Sequence, residues 1–152
     1  MSKITVTKEV TFDCAHMLSG HEALCKNLHG HTYKVLVTVG GAQIENGSSK
    51  DMVLDFKHLK LAIDSCIKEE FDHAIIFSAR ELRNEAEQEL LEWAQRHGMR
   101  YYVMPRRTTA EDMALHFQQQ IADCLANELG ITNITSVSIK VYETPTSYAE
   151  VK

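Results

Sequence analysis

Two alternating runs that carry histidines at matching parity constrain this chain more than any other feature. Residues 3–16 alternate with Ile4, Val6, Val10, Phe12, Cys14 and His16 on one side, and His31 to Val39 repeat the pattern. Residues two apart on a strand point to the same face, so His29 and His31 converge. A hairpin between the two runs sets His16 beside them. Three neutral imidazoles with one position left open make the ligand set of a catalytic zinc site rather than a closed structural one. The stretch Cys25-Lys26-Asn27-Leu28-His29-Gly30-His31 adds a thiol to two of these imidazoles, a density that few structural needs explain.

The chain has 152 residues, 44% hydrophobic and 24% charged, which fits one soluble globular domain over 1–152 with its own core. The opening Met-Ser-Lys-Ile-Thr-Val-Thr lacks a signal-type apolar stretch, and no run approaches the roughly 18 apolar residues of a membrane helix. A cytoplasmic protein with reduced thiols is expected. Its four cysteines, at 14, 25, 66 and 124, do not resemble a disulfide framework. Cys66 and Cys124 fall on apolar helix faces, as core residues do. The net charge of -5 speaks against a nucleic-acid partner and leaves room for an anionic small substrate where basic residues gather.

Between the two strands lies a loop that carries Gly20, His21, Glu22 and Cys25, the kind of place where function sits. Gly40-Gly41 closes the second strand, Asn46-Gly47-Ser48-Ser49 makes a turn, and Asp55 caps a helix through Phe56, Leu59, Ile63 and Ile67 that ends near Glu70. An apolar segment, Phe71 to Phe77, follows. Ser78-Ala79-Arg80-Glu81 is expected as a capping box opening a second helix, with Leu82, Ala86, Leu90, Trp93 and Ala94 inward and Gly98 as its stop. After a strand through Tyr101 and Val103, Thr108-Thr109-Ala110-Glu111 is expected to cap a third helix that Gly130 ends. Val137, Ile139, Val141 and Glu143 share one face of a last long strand. The sum is an α+β domain, an antiparallel sheet with helices packed on one face. Its unpaired edges invite association.

Several residues carry two readings. Cys25 is either a fourth metal ligand that closes the site or a base of lowered pKa beside a cation. Asp72-His73 is an acid beside an imidazole, and alone it is a structural pair. Glu111 is explained by its place as third residue of a capping box. Glu143 puts a carboxylate on an apolar face, where it needs a partner: a ligand edge with two parallel donors, or a Lys or Arg. His21, His58, His97 and His116 have no partner pattern and are expected in solvent.

Taken together, the motifs resemble the 6-pyruvoyltetrahydropterin synthase/6-carboxytetrahydropterin synthase family of the tunnelling fold. They are Phe12-Asp13-Cys14-Ala15-His16, Cys25 to His31, Val53-Leu54-Asp55-Phe56, Phe71-Asp72-His73, Thr109-Ala110-Glu111-Asp112 and Val141-Tyr142-Glu143-Thr144-Pro145-Thr146-Ser147. The resemblance implies zinc on His16, His29 and His31, proton abstraction by Cys25, and a relay through Asp72 and His73. It also implies a further relay or positioning acid at Glu111, a pocket position at Thr109, and a pterin anchor at Glu143. It implies 7,8-dihydroneopterin triphosphate as substrate, with Lys26, Arg106 and Arg107 as candidates for its phosphates or else plain surface charges. A homohexamer is implied as well, two stacked barrels of three subunits with active sites at subunit interfaces. The short spacer Lys26-Asn27-Leu28 resembles the branch that makes 6-carboxytetrahydropterin for queuosine and related deazapurines, rather than the pyruvoyl branch. Two rivals are a pyruvoyl-type or other pterin side-chain lyase and a non-catalytic zinc- and pterin-binding homologue. The chain departs from the family pattern in Asp112, where Asn is common, and in a long segment from about Ser78 to Arg107.

Overall fold

The alternation becomes a long antiparallel hairpin. In the computed structural model, which describes residues 2–152, β1 (Thr5–His16) and β2 (His29–Gly41) pair without a break from Thr5↔Gly40 to His16↔His29. Then come α1 (Phe56–Ile63), α2 (Glu69–Phe71), β3 (Ala74–Phe77), α3 (Glu85–Arg96), β4 (Tyr101–Val103), α4 (Ala110–Asp123), β5 (Ile134–Thr144) and β6 (Ser147–Val151). One six-stranded sheet has the order β4-β3-β1-β2-β5-β6. Its long strands are antiparallel, while β3 joins β1, and β4 joins β3, in parallel.

The helices cover one face. Phe12, Tyr33, Val35, Val37, Ile139 and Val141 from the sheet meet Leu59, Ile63, Ile67, Phe71, Met113, Phe117 and Ile121 from the helices, all buried in one core. Phe12 stacks on Tyr33 at 5.3 Å between ring centres, and Phe71 meets Phe117 edge to face at 4.8 Å. Each such side chain contributes about 1.5–3 kcal/mol by leaving water. Cys124 is buried here and Cys66 partly so, as their apolar faces imply.

Asp55 caps α1 as expected, accepting from the Lys57 amide at 2.8 Å. A π-helical turn, Asp64–Lys68, carries the helix on into α2.

Four local expectations are corrected. The Ser78 box does not open a helix: Arg80–Leu82 is a single 3-10 turn, and Asn84 caps α3 by accepting from the Glu87 amide at 2.9 Å. The inward face is accordingly Glu87, Leu91 and Ala94, whereas Leu82, Ala86 and Trp93 are exposed. The cap of α4 is Thr109, whose hydroxyl accepts from the Asp112 amide at 3.2 Å, so the box is one residue later than expected and leaves Glu111 without a capping task. The strand through Val137 to Glu143 is not the last: the chain turns at Pro145-Thr146 into β6, which pairs back on β5. Finally, His116 is buried, with its Nε2 at 2.9 Å from the Tyr102 hydroxyl, because its helix position faces Phe71.

Candidate metal centre and active site

The hairpin register places His16 opposite His29 and Cys14 opposite His31, all on the helix-covered side of the sheet. The three imidazoles stand 4.7, 5.4 and 4.9 Å apart between ring centres. One ligand nitrogen from each lies within 4.8 Å of the other two, so the three can hold a metal ion. Gly30 keeps the strands close here, because a Cβ on it would sit 3.2 Å from the Cys14 carbonyl oxygen.

Backbone carbonyls set the tautomers. His16 Nδ1 lies 2.8 Å from the Thr108 carbonyl and His29 Nδ1 lies 2.7 Å from the Asn27 carbonyl. A carbonyl oxygen only accepts, so both Nδ1 atoms carry the proton and both Nε2 atoms present lone pairs. The Tyr33 hydroxyl stands 3.4 Å from His16 Nε2. His31 Nε2 is buried and has no hydrogen-bond partner, although Glu143 Oε1 is 3.5 Å away. Burial lowers the His16 pKa to about 4, aided by the neighbouring His29. Burial also lowers that of His31, against the pull of Glu143. Neutral imidazoles, two fixed tautomers and one orphaned nitrogen fit a borderline-soft cation such as zinc.

Among the described residues, the metal-competent group comprises these three histidines, and Cys25 is outside it. Cys25 lies half-buried in the 3-10 turn Leu24–Lys26, and its carbonyl accepts from the Leu18 amide at 2.8 Å. The Tyr33 hydroxyl is held far above its ordinary pKa by burial first, then by the nearby Cys14, Glu143 and Cys25. Cys25 and Glu143 are thus within electrostatic reach of the tyrosine that faces the histidines.

Asp72 and His73 do touch, with Nδ1 and Oδ1 at 3.1 Å. Adjacent side chains usually diverge, but His73 adopts a left-handed backbone, φ 60, and its amide donates a hydrogen bond to the Asp13 carbonyl at 2.7 Å. Burial would raise the Asp72 pKa, yet the Asp13 amide, Lys68 and His73 together hold it below its ordinary value. The His73 side chain is 76% exposed. It lines, with His31 and Asp13, a cleft of about 480 Å³.

Thr109 and Glu111 share a smaller cavity of about 240 Å³ with Glu143 and Tyr148, and Glu143 and His31 border another of about 370 Å³ with Lys34 and Tyr142. Glu143 therefore links the histidines to the α4 N-terminus. A larger cavity, about 520 Å³ between α4 and β5, shares none of these residues. Of the three basic candidates, Lys26 is exposed, Arg106 pairs with Asp112 at 3.9 Å, and Arg107 donates to the Ser19 carbonyl at 2.9 Å.

Sequence reasoning missed the groups that touch the histidines, the carbonyls of Asn27 and Thr108 and the Tyr33 hydroxyl, and also Asp13, whose amide and carbonyl hold Asp72 and His73. Tyr33 was legible, since it shares parity with His29 and His31. Thr108 was not, because its carbonyl reaches His16 only in the folded chain.

Comparison with known proteins agrees over the whole chain. A protein from Haemophilus influenzae named 6-carboxy-5,6,7,8-tetrahydropterin synthase is 38% identical over 146 residues, covering 95% of this chain and 96% of its own. One of the same name from Rickettsia bellii is 30% identical over 151 residues, 97% of this chain and 99% of its own. The solved 6-pyruvoyl tetrahydropterin synthase of Plasmodium falciparum superposes with a TM-score of 0.72 at 21% identity, over 99% of this chain and 98% of its own, and so shares the fold. With residues 5–152 matching the sequence pattern described as 6-pyruvoyl tetrahydropterin synthase, the chain belongs to that family.

Proposed function

We propose that this chain is a zinc-dependent 6-carboxy-5,6,7,8-tetrahydropterin synthase. It converts 7,8-dihydroneopterin triphosphate to the carboxy product, acetaldehyde and triphosphate, a step toward queuosine and related deazapurines. The observation that carries this reading is the orphaned His31 Nε2 facing two imidazoles whose own tautomers leave Nε2 unprotonated. The names of the relatives and the short spacer before His29 favour the carboxy branch.

His16, His29 and His31 hold the metal, which when bound supplies Lewis-acid chemistry at the open position. Glu143 accepts two parallel hydrogen bonds from the amidine-like edge of the pterin, a charged pairing that orients the ring. Thr109 and Glu111 line the same pocket, Glu111 as a further positioning or relay acid. Cys25, as thiolate, takes a proton from the substrate side chain. His73, its imidazolium stabilised by Asp72, passes protons as the triphosphate leaves. Lys26 is exposed to meet the phosphates, whereas Arg106 would have to leave its exposed pairing with Asp112 and Arg107 is engaged within the fold.

A homohexamer in the cytoplasm completes the reading. Strands β4 and β6 end the sheet with unpaired edges. Leu24, Leu28 and Tyr148 are exposed apolar groups around the site. A neighbouring subunit there gives the exposed His73 something to face.

Incubation of the zinc-loaded protein with 7,8-dihydroneopterin triphosphate tests the reading. Carboxy product with acetaldehyde is expected, at about one zinc per chain. A pyruvoyl product, or binding without turnover, overturns it.

A further inference from the structure

Glu87 is, among the described residues, the only fully buried carboxylate. It sits on the inward face of α3 beside Leu91 and Ala94, where an apolar residue would be less costly. Its Oε2 accepts from the Ser19 hydroxyl at 3.3 Å, while Oε1 has no hydrogen-bond partner. Burial pushes its pKa up, opposed by the Ser19 hydroxyl, the Ser78 amide and the guanidinium groups of Arg83 and Arg107. The family reading gives this residue no task.

Its contacts lead to the candidate catalytic loop. Ser19 opens the loop between β1 and β2, and its carbonyl also accepts from Arg107 Nη2 at 2.9 Å. The adjacent Leu18 amide donates to the Cys25 carbonyl at 2.8 Å, and the Leu18 carbonyl accepts from the His21 amide at 3.1 Å. Thr108, next after Arg107, supplies the carbonyl that orients His16. One buried carboxylate and one guanidinium thus grip Ser19 from both sides. From there, one covalent step and one hydrogen bond reach Cys25.

We propose that Glu87 is a positioning residue which, through Ser19, fixes the loop that carries Cys25, and that α3 is the element that delivers it. This rests on the reading of Cys25 as the base. Holding a thiolate at the right distance matters because a displacement of about 1 Å costs on the order of 10²-fold in rate.

The test uses the zinc-loaded full chain as Glu87→Ala, Glu87→Gln and Ser19→Ala. One readout is the rate at which iodoacetamide alkylates Cys25, followed on its own peptide by mass spectrometry. The other is kcat and KM with 7,8-dihydroneopterin triphosphate. In Glu87→Ala and Ser19→Ala the freed loop exposes the half-buried thiol, so alkylation rises roughly tenfold and kcat falls roughly tenfold, while KM stays within about twofold. Glu87→Gln still accepts from Ser19 and recovers most of both. Ser19→Ala removes one hydroxyl and decides the matter if Glu87→Ala does not fold. Alkylation within about twofold of the unmodified chain in these variants, or faster alkylation with unchanged kcat, overturns the proposal. Absence of turnover in the unmodified chain strikes the functional reading instead, and the alkylation rates still judge the clamp.

Discussion

The histidine wall and the Asp72–His73 corner hold the same kinds of group in opposite ways. His16, His29 and His31 stand on two long paired strands, with two rings fixed by carbonyls at 2.8 and 2.7 Å. Asp72 and His73 sit where α2 gives way to the four-residue β3, and His73 is largely exposed on a left-handed backbone. The first arrangement suits a site that must be preformed, because a metal tolerates little error in ligand geometry. The second suits a group that meets its partner from outside. Fixed geometry is thus concentrated at the three histidines, and the Asp72–His73 pair stands at a more open edge.

The largest expected effect separates the wall from the groups around it. Cys25→Ala should lower turnover on the order of 10² to 10⁴-fold while zinc and melting temperature stay put, since three histidines still hold the metal. Zinc content, calorimetry and turnover on one preparation check this. Loss of metal in step with activity would make Cys25 part of the wall and erase the contrast.

Next in size is a difference in pH windows. The folded pKa of His16, about 4, lies below its ordinary 6.5, so protonation favours the unfolded chain. Stability of the metal-free protein is then complete above pH 6.5 and falls toward pH 4, by about 3 kcal/mol from this group. Asp72 is depressed as well, but from 3.8, so its contribution holds above that value and is lost only in stronger acid. Urea unfolding of chelator-treated protein across pH should show the first loss, and His16→Asn should flatten it. A flat profile from pH 7 to 4 in the unmodified protein contradicts the burial argument.

Glu143 stands on the other side of the wall, between His31 and the α4 N-terminus. Glu143→Ala should weaken pterin binding by about 1.5–3 kcal/mol, the worth of charged hydrogen bonds, with zinc retained. Titration calorimetry with a pterin measures it, and unaltered affinity in a folded variant removes the anchor. Smallest is Asn84→Ala, which strips the α3 cap and should cost about 1 kcal/mol of stability with zinc content unchanged.

The parts of the fold legible in the sequence were those governed by period and parity. Alternation in residues 3–16 and 31–39 was enough to pair β1 with β2 and to bring His16 to His29 and His31, since a strand offers only two faces. What stayed hidden depended on competition or on distance. Two candidate caps six residues apart, Ser78 and Asn84, compete for α3, and the one with a bonded amide prevails. The left-handed turn at His73 goes with a hydrogen bond from its amide to the Asp13 carbonyl, 60 positions away, and no local pattern encodes it. Glu87 and His116 were hidden for a related reason: burial of a polar side chain is decided by partners that other elements supply.

The backbone at His73 also carries a consequence for protein engineering. A residue with a Cβ is strained by about 1–2 kcal/mol in that left-handed conformation, and glycine is not. Replacing His73 with Gly should therefore yield a chain that melts higher than His73→Ala while lacking the same imidazole. A screen for thermostability alone would favour that glycine over alanine and discard the imidazole, so, on the proposed role of His73, the position marks where selection for robustness and selection for turnover pull apart.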